Sequence, residues 1–174
     1  MPRLGHCILI SKSSGESIHV PAPANPETAA EVRALIAAAS SASLATLDRQ
    51  SGGPYVSLVS VATAPDNVPI LLLSGLAQHT KNIAVNPRAS LLLAVSQSNA
   101  DPLTLGRVTL TGRIERTGDP AMRAAFLQRH PEASQYAHFE DFAFYRLLVA
   151  EAHFVGGFGR IVKLMPADLS SLQC

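Results

Sequence analysis

The sequence predicts a mainly β fold with flanking helices, an α+β domain built on an antiparallel sheet or barrel. Three observations predict it. Residues 43–74 hold three strand-like segments in a row, joined by short turns. Residues 105–117 alternate apolar and polar side chains over a long run. Two helices with clear start signals stand outside these strands.

In chain order, residues 1–25 are rich in Ser, Gly and Pro and read as a flexible leader. Asn25-Pro26-Glu27 opens a helix over residues 26–39: Asn caps, Pro suits the first turn, and Glu favours the positive end. Val32, Leu35, Ile36 and Ala39 recur at helical spacing. Strands follow at 43–48, 54–63 and 68–74; turn chemistry at 49–53 and 65–67 separates them. The continuous apolar run 68–74 suits a strand buried on both faces.

A two-turn helix is expected over 79–85, stopped by Asn86-Pro87. A strand is expected at 89–96, then a loop at 98–102 and the alternating strand 105–117, with Gly112 as a bulge or bend. Asp119-Pro120 opens a second capped helix, which Pro131 ends before a further short helix to Tyr136. A long strand at 141–152, a glycine loop at 156–159 and a short strand at 160–164 complete the domain, 26–165. Residues 166–174 read as a tail, and no repeat or second domain is visible.

At 174 residues, with 47% hydrophobic and 16% charged residues, the chain can bury a sizeable core but has little charge to cover a monomer. Burial of surface in a homodimer is expected. The net charge of +1 argues against general attraction to nucleic acid or membrane. Cys7 and Cys174 form no C-x-x-C pair and no zinc cluster, so no metal site is expected. The apolar run Cys7-Ile8-Leu9-Ile10 is too short for a signal core or a membrane span, which makes a cytoplasmic protein the default expectation.

Chemistry concentrates at Gln78-His79-Thr80-Lys81-Asn82, where hydroxyl, imidazole, ammonium and amide donors gather at a helix start. Such a cluster, with the free N–H groups of the first turn, can hold a phosphate. An ordinary solvated helix end is the alternative on composition alone.

The run PYVSLVSVATAPDNVPILLLSGLAQHTKNIAVNPRASLLL resembles the core of FMN-binding split barrels of the pyridoxamine 5'-phosphate oxidase-related group. It is most similar to the haem-utilisation-type branch. DPLTLGRVTLTGRIER, His130-Pro131, DFAFYRL and HFVGGFGRI extend the likeness over residues 30–163. The resemblance implies a six-stranded antiparallel split β-barrel with FMN at a homodimer interface. It implies that Ser57, Leu58 and Val59 line the isoalloxazine and that Ser74 lies near the ribityl chain and phosphate. His79, Thr80, Lys81 and Asn82 would hold the phosphate, and Arg107 would face the flavin or its phosphate.

The sequence departs from pyridoxamine-phosphate oxidase itself. It has no Trp, and Gln78 and His79 stand where that enzyme carries basic residues. The expected function is therefore an FMN-binding flavoprotein, an oxidoreductase of unknown substrate with no catalytic side chain assigned. The alternatives are a haem-binding or haem-degrading protein, a non-catalytic flavin binder, or a user of the deazaflavin F420. His153 is the histidine to consider first as an iron ligand, although a partly buried structural role is its ordinary reading. An inward Arg107 needs an anion, for which Glu115 or Asp101 is the protein alternative. Phe142, Phe144 and Tyr145 are read as core and interface.

Overall fold

A computed structural model describes residues 25–94, 101–157 and 159–170. The expected leader, the end of the strand at 95–96, both cysteines, Phe158 and residues 171–174 lie outside them.

Helix α1 spans Pro26–Ala38, and the Asn25 side chain accepts the Glu27 N–H as the sequence predicts. Strands β1 (Ser41–Leu47), β2 (Pro54–Thr63) and β3 (Pro69–Ser74) form the meander. The β1–β2 turn places Gly52 at φ 70°, a left-handed conformation natural to glycine. Helix α2 (Gln78–Val85) and strand β4 (Arg88–Ala94) come next. Strand β5 (Gly106–Arg116), helix α3 (Pro120–Arg129) and a 3-10 segment (Pro131–Gln135) follow. Strand β6 (Phe142–Gly156) runs past its expected end into the glycine loop, and β7 (Ile161–Leu164) pairs back onto it.

All pairings are antiparallel, in the order β3-β2-β1-β4-β5-β6-β7, and β3 also pairs with β6. That last pairing closes six strands into a barrel and leaves β7 as an extra strand. Closure places Leu72 opposite Phe144 and Ser74 opposite Phe142. The β5–β6 register shifts between Thr111 and Gly112, which is the bulge expected there.

The strand burial patterns explain themselves once two apolar layers are recognised. Inside the barrel, Leu44, Leu71, Leu73, Leu91, Leu110, Leu147 and Phe154 pack with Val32, Leu35 and Ile36 of α1. Outside it, Ile70 and Leu72 pack with Met122 and Phe126 of α3 and with Ala133 and Phe144. β3 is therefore covered on both sides, and its apolar run follows from that position. Fully buried side chains such as Phe126 and Leu71 each contribute roughly 1.5–3 kcal/mol through removal from water.

Residues 166–169, read above as tail, instead form a helical turn, α4 (Pro166–Leu169). Leu169 is buried in the barrel cluster, and the carbonyls of Asp168 and Leu169 accept from Arg33 and Asn67. A four-residue turn held by distant partners has no periodicity to announce it. Among the described residues, no helix is long and apolar enough to cross a membrane.

Candidate functional site

A cavity of about 350 Å³ opens beside β2, β3 and the start of α2. Its wall includes Leu58, Val59 and Ser60 of β2, Leu72 to Ser74 of β3, and His79. Tyr136 and Phe142 close the far side. These two rings lie 5.1 Å apart, and Phe139 meets Phe142 edge-on at 6.5 Å. The aromatic wall reaches the cavity only because β6 pairs with β3.

His79 and Ser57 meet at 3.0 Å between Nδ1 and Oγ. Burial pushes the imidazole below its ordinary pKa of 6.5, so the ring is neutral at pH 7. In a neutral imidazole one nitrogen donates and the other accepts, and the Ser57 hydroxyl can take either role toward Nδ1. If Nδ1 donates to Ser57, Nε2 carries a lone pair suited to a metal. If Nδ1 accepts, Nε2–H is a donor suited to an anion.

Ser74 donates to Asp141 Oδ2 at 2.6 Å and accepts from Leu76 N–H. The Asp141 carbonyl accepts Gly75 N–H at 2.5 Å, so the end of β3 is clamped to the entry of β6. Helix α2 begins at Ala77 without a side-chain cap. Its first-turn N–H groups, without a side-chain cap, keep the anion affinity of a helix start. Thr80 is buried there, and its Oγ1 has no hydrogen-bond partner among the described residues. Lys81 is half-buried and forms no ion pair among the described residues.

The structure turns Asn82 away from this cluster. Its side chain is 0% exposed. Nδ2 donates to Thr46 Oγ1, while Oδ1 accepts from Arg49 N–H and Gln78 Nε2. Asn82 thus ties α2 to β1 and its turn. Gln78 also donates to Asp48, whose carboxyl is held below its ordinary pKa first by the Ser51 N–H and then by the Ser51 hydroxyl. The amide that resembles a phosphate ligand in sequence is engaged by the protein itself.

Arg107 also lies apart from the cavity wall. It donates to the carbonyl of Leu103 at 3.1 Å, with a longer contact to that of Leu105. Neither suggested carboxylate partner pairs with it: Glu115 bonds Arg146, and Asp101 caps the turn at Leu103. His153 is exposed on β6 between Thr109 and Lys163. The cavity thus brings together Leu58, Val59, Ser74 and His79, with Ser57 bonded behind His79. The sequence assigns Tyr136 no site role and reads Phe142 with the core and interface; strand alternation places Phe142 on a face but does not say that the face borders a cavity.

Leu58 and Val56 point out of β2 at 77% and 62% exposure. The register sets Leu58 and Leu92 on either side of Ser43, and Val56 beside Ala45. This makes an apolar row across the outer face of β2, β1 and β4.

A protein-family model described as CREG, beta-barrel matches residues 23–169. The chain belongs to the CREG β-barrel family. This membership agrees with the closed barrel. The chain is 34% identical over 131 residues to the chloroplastic non-canonical heme oxygenase HOZ of Arabidopsis thaliana. That alignment covers 73% of this chain and 40% of the relative, so the chain spans about two-fifths of that protein's length. A heme-binding protein from Mycobacterium smegmatis superposes with a TM-score of 0.75 at 33% identity, covering 86% of this chain and 61% of the other. HutZ, a heme storage protein from Vibrio cholerae, shares the fold at a TM-score of 0.59 and 22% identity, covering 69% of this chain and 88% of that one.

Proposed function

We propose that this chain binds haem in the cavity beside β2 and β3, as a homodimer whose second copy covers the apolar row of Leu58, Val56 and Leu92. The observation that carries the reading is the His79 imidazole, kept neutral by burial and bonded through Nδ1 to Ser57. A neutral imidazole with one nitrogen held by a hydrogen bond is a good nitrogen donor to iron. The residues present fit the group: an apolar and aromatic wall for a flat macrocycle, and the uncapped start of α2, at Ala77 and His79, for an acidic edge. The names of the two relatives at 33% and 34% identity point the same way.

Haem iron, when bound, supplies electron transfer and oxygen chemistry. The chain's own residues do the rest. Ser57 orients the His79 ring. Leu58, Val59, Leu72 and Phe142 exclude water from the cavity. Ser74 and Asp141 hold its floor closed. Turnover of haem is the enzymatic extension of this reading, with dioxygen as the oxidant and an external reductant as electron donor.

Haemin titration of the full chain tests the proposal. It should yield a saturable Soret band, and His79→Ala should shift the band and weaken binding by at least about tenfold, the scale of losing a metal ligand's support. A band unchanged in His79→Ala but lost in His153→Ala would overturn the assignment. Loss of the band on adding reductant would show degradation.

A second reading, FMN binding by an oxidoreductase, is favoured by one observation. Thr80 carries a buried hydroxyl without a partner among the described residues, beside Lys81 at an uncapped helix start. Quenching of FMN fluorescence by the chain, abolished in Lys81→Ala, would support that reading over haem.

A further inference from the structure

We propose a second, oxyanion-binding site in which Arg116 and Arg123 receive a carboxylate or phosphate group of a small molecule. The two arginines line one cavity of about 480 Å³ together with Thr117, Gly118, Ala137 and Phe144. The cavity is separate from the one that holds His79. The two share only Phe142 as a common wall.

Three features make this more than two surface cations. First, Arg123 is fixed in place. Its guanidinium lies 5.2 Å from the centre of the Phe144 ring and donates to the Ala137 carbonyl at 3.3 Å. A guanidinium held on an aromatic face keeps its remaining N–H groups pre-aimed, so little rotamer freedom is lost on binding.

Second, neither arginine forms an ion pair among the described residues, and nearby acids are engaged elsewhere. Glu115 pairs with Arg146, Asp119 caps α3 at Ala121 N–H, and Asp141 accepts from Ser74. Glu140, exposed one residue earlier, forms no ion pair with either arginine. Two like charges facing one cavity repel, and an anion between them relieves that cost.

Third, the cavity wall is open at Gly118, where the chain passes from β5 to α3. A Cβ added at Gly118 would meet nothing within 4 Å. Arg116 enters from the last position of β5, opposite Tyr145, while Arg123 enters from α3. Cations from two separate elements therefore converge on a roomy recess. Paired guanidiniums suit planar carboxylates and phosphates through forked hydrogen bonds.

Calorimetric titration of the full chain with inorganic phosphate, and separately with citrate, tests the site and distinguishes the two anions. Saturable binding of at least one is expected. The Arg116 side chain makes no hydrogen bond or ion pair among the described residues, so Arg116→Gln should leave the fold intact and weaken binding by about tenfold or more, as loss of a charged hydrogen-bond partner does. Arg123→Lys keeps the charge but removes the fork and should weaken it less. Absence of saturable binding for both anions would overturn the proposal. So would binding that survives Arg116→Gln and is lost instead in Lys81→Gln, because the anion would then sit at the start of α2.

Discussion

Ser57 and His79 stand 22 positions apart in the chain, yet their Oγ and Nδ1 atoms lie 3.0 Å apart in the fold. The contact sets which nitrogen of the ring faces the cavity. Ser57→Ala should therefore weaken haem binding by several-fold, in the range of one neutral hydrogen bond, about 1 kcal/mol. Haemin titrations of wild type and variant read this directly. Equal affinities would remove Ser57 from the site.

Burial depresses the His79 pKa below its ordinary value of 6.5. The unfolded chain thus takes up a proton at higher pH than the folded one. Stability from this group is complete above pH 6.5 and is lost as pH falls from 6.5 through the lower folded value. Ligand binding by the neutral ring should likewise hold level down to pH 6.5 and weaken only below it. A binding midpoint at or above 6.5 would contradict the burial of the ring.

Asn82→Ala removes an amide that serves Thr46, Arg49 N–H and Gln78 from a fully buried position. The buried Thr46 hydroxyl would lose its partner, and the Arg49 N–H bond and one of the two Gln78 bonds would be lost with it, while Gln78 keeps Asp48. The expected loss is about 2 kcal/mol or more, measured as a lower urea midpoint with an unchanged slope. A loss under half a kcal/mol, by contrast, is what an exposed amide gives.

Gly112 sits at the β5–β6 bulge, where an added Cβ would meet the Leu148 carbonyl oxygen at 2.0 Å. Backbone on both strands leaves nothing flexible to move aside. Gly112→Ala should cost about 3 kcal/mol or more and lower the melting temperature sharply. Thermal unfolding followed by circular dichroism checks this.

The homodimer reading places a partner over Leu58 and Val56. Leu58→Lys should shift the chain toward monomer in sedimentation velocity while leaving its far-ultraviolet spectrum unchanged, since the side chain is 77% exposed. A chain that is monomeric before substitution would refute the reading.

Local signals in the sequence carried the element order well. Asn25-Pro26-Glu27 and Asp119-Pro120 announce α1 and α3 because caps act within one turn. The apolar run of β3 announces burial on both faces because its pattern lacks alternation. The site was legible only where its residues are close in the chain, at Leu58–Val59 and Ser74–His79. Tyr136 and Phe142 join through a long-range strand pairing, which no local pattern encodes. Asn82 and Arg107 were legible as polar residues in the right stretches. Their partners, Thr46 and the Leu103 carbonyl, depend on packing that residue type alone does not specify.

The seam between β3 and β6 joins segments such as Ser74 and Asp141 that are 67 residues apart. Such a non-local pairing must meet its loop-closure entropy before its contacts form, which slows folding. Phe142 meets Leu72 and Ser74 only when that seam has zipped. A small molecule that gripped all three would consequently act as a selective clasp for the finished barrel, adding stability that the open chain could not gain from it.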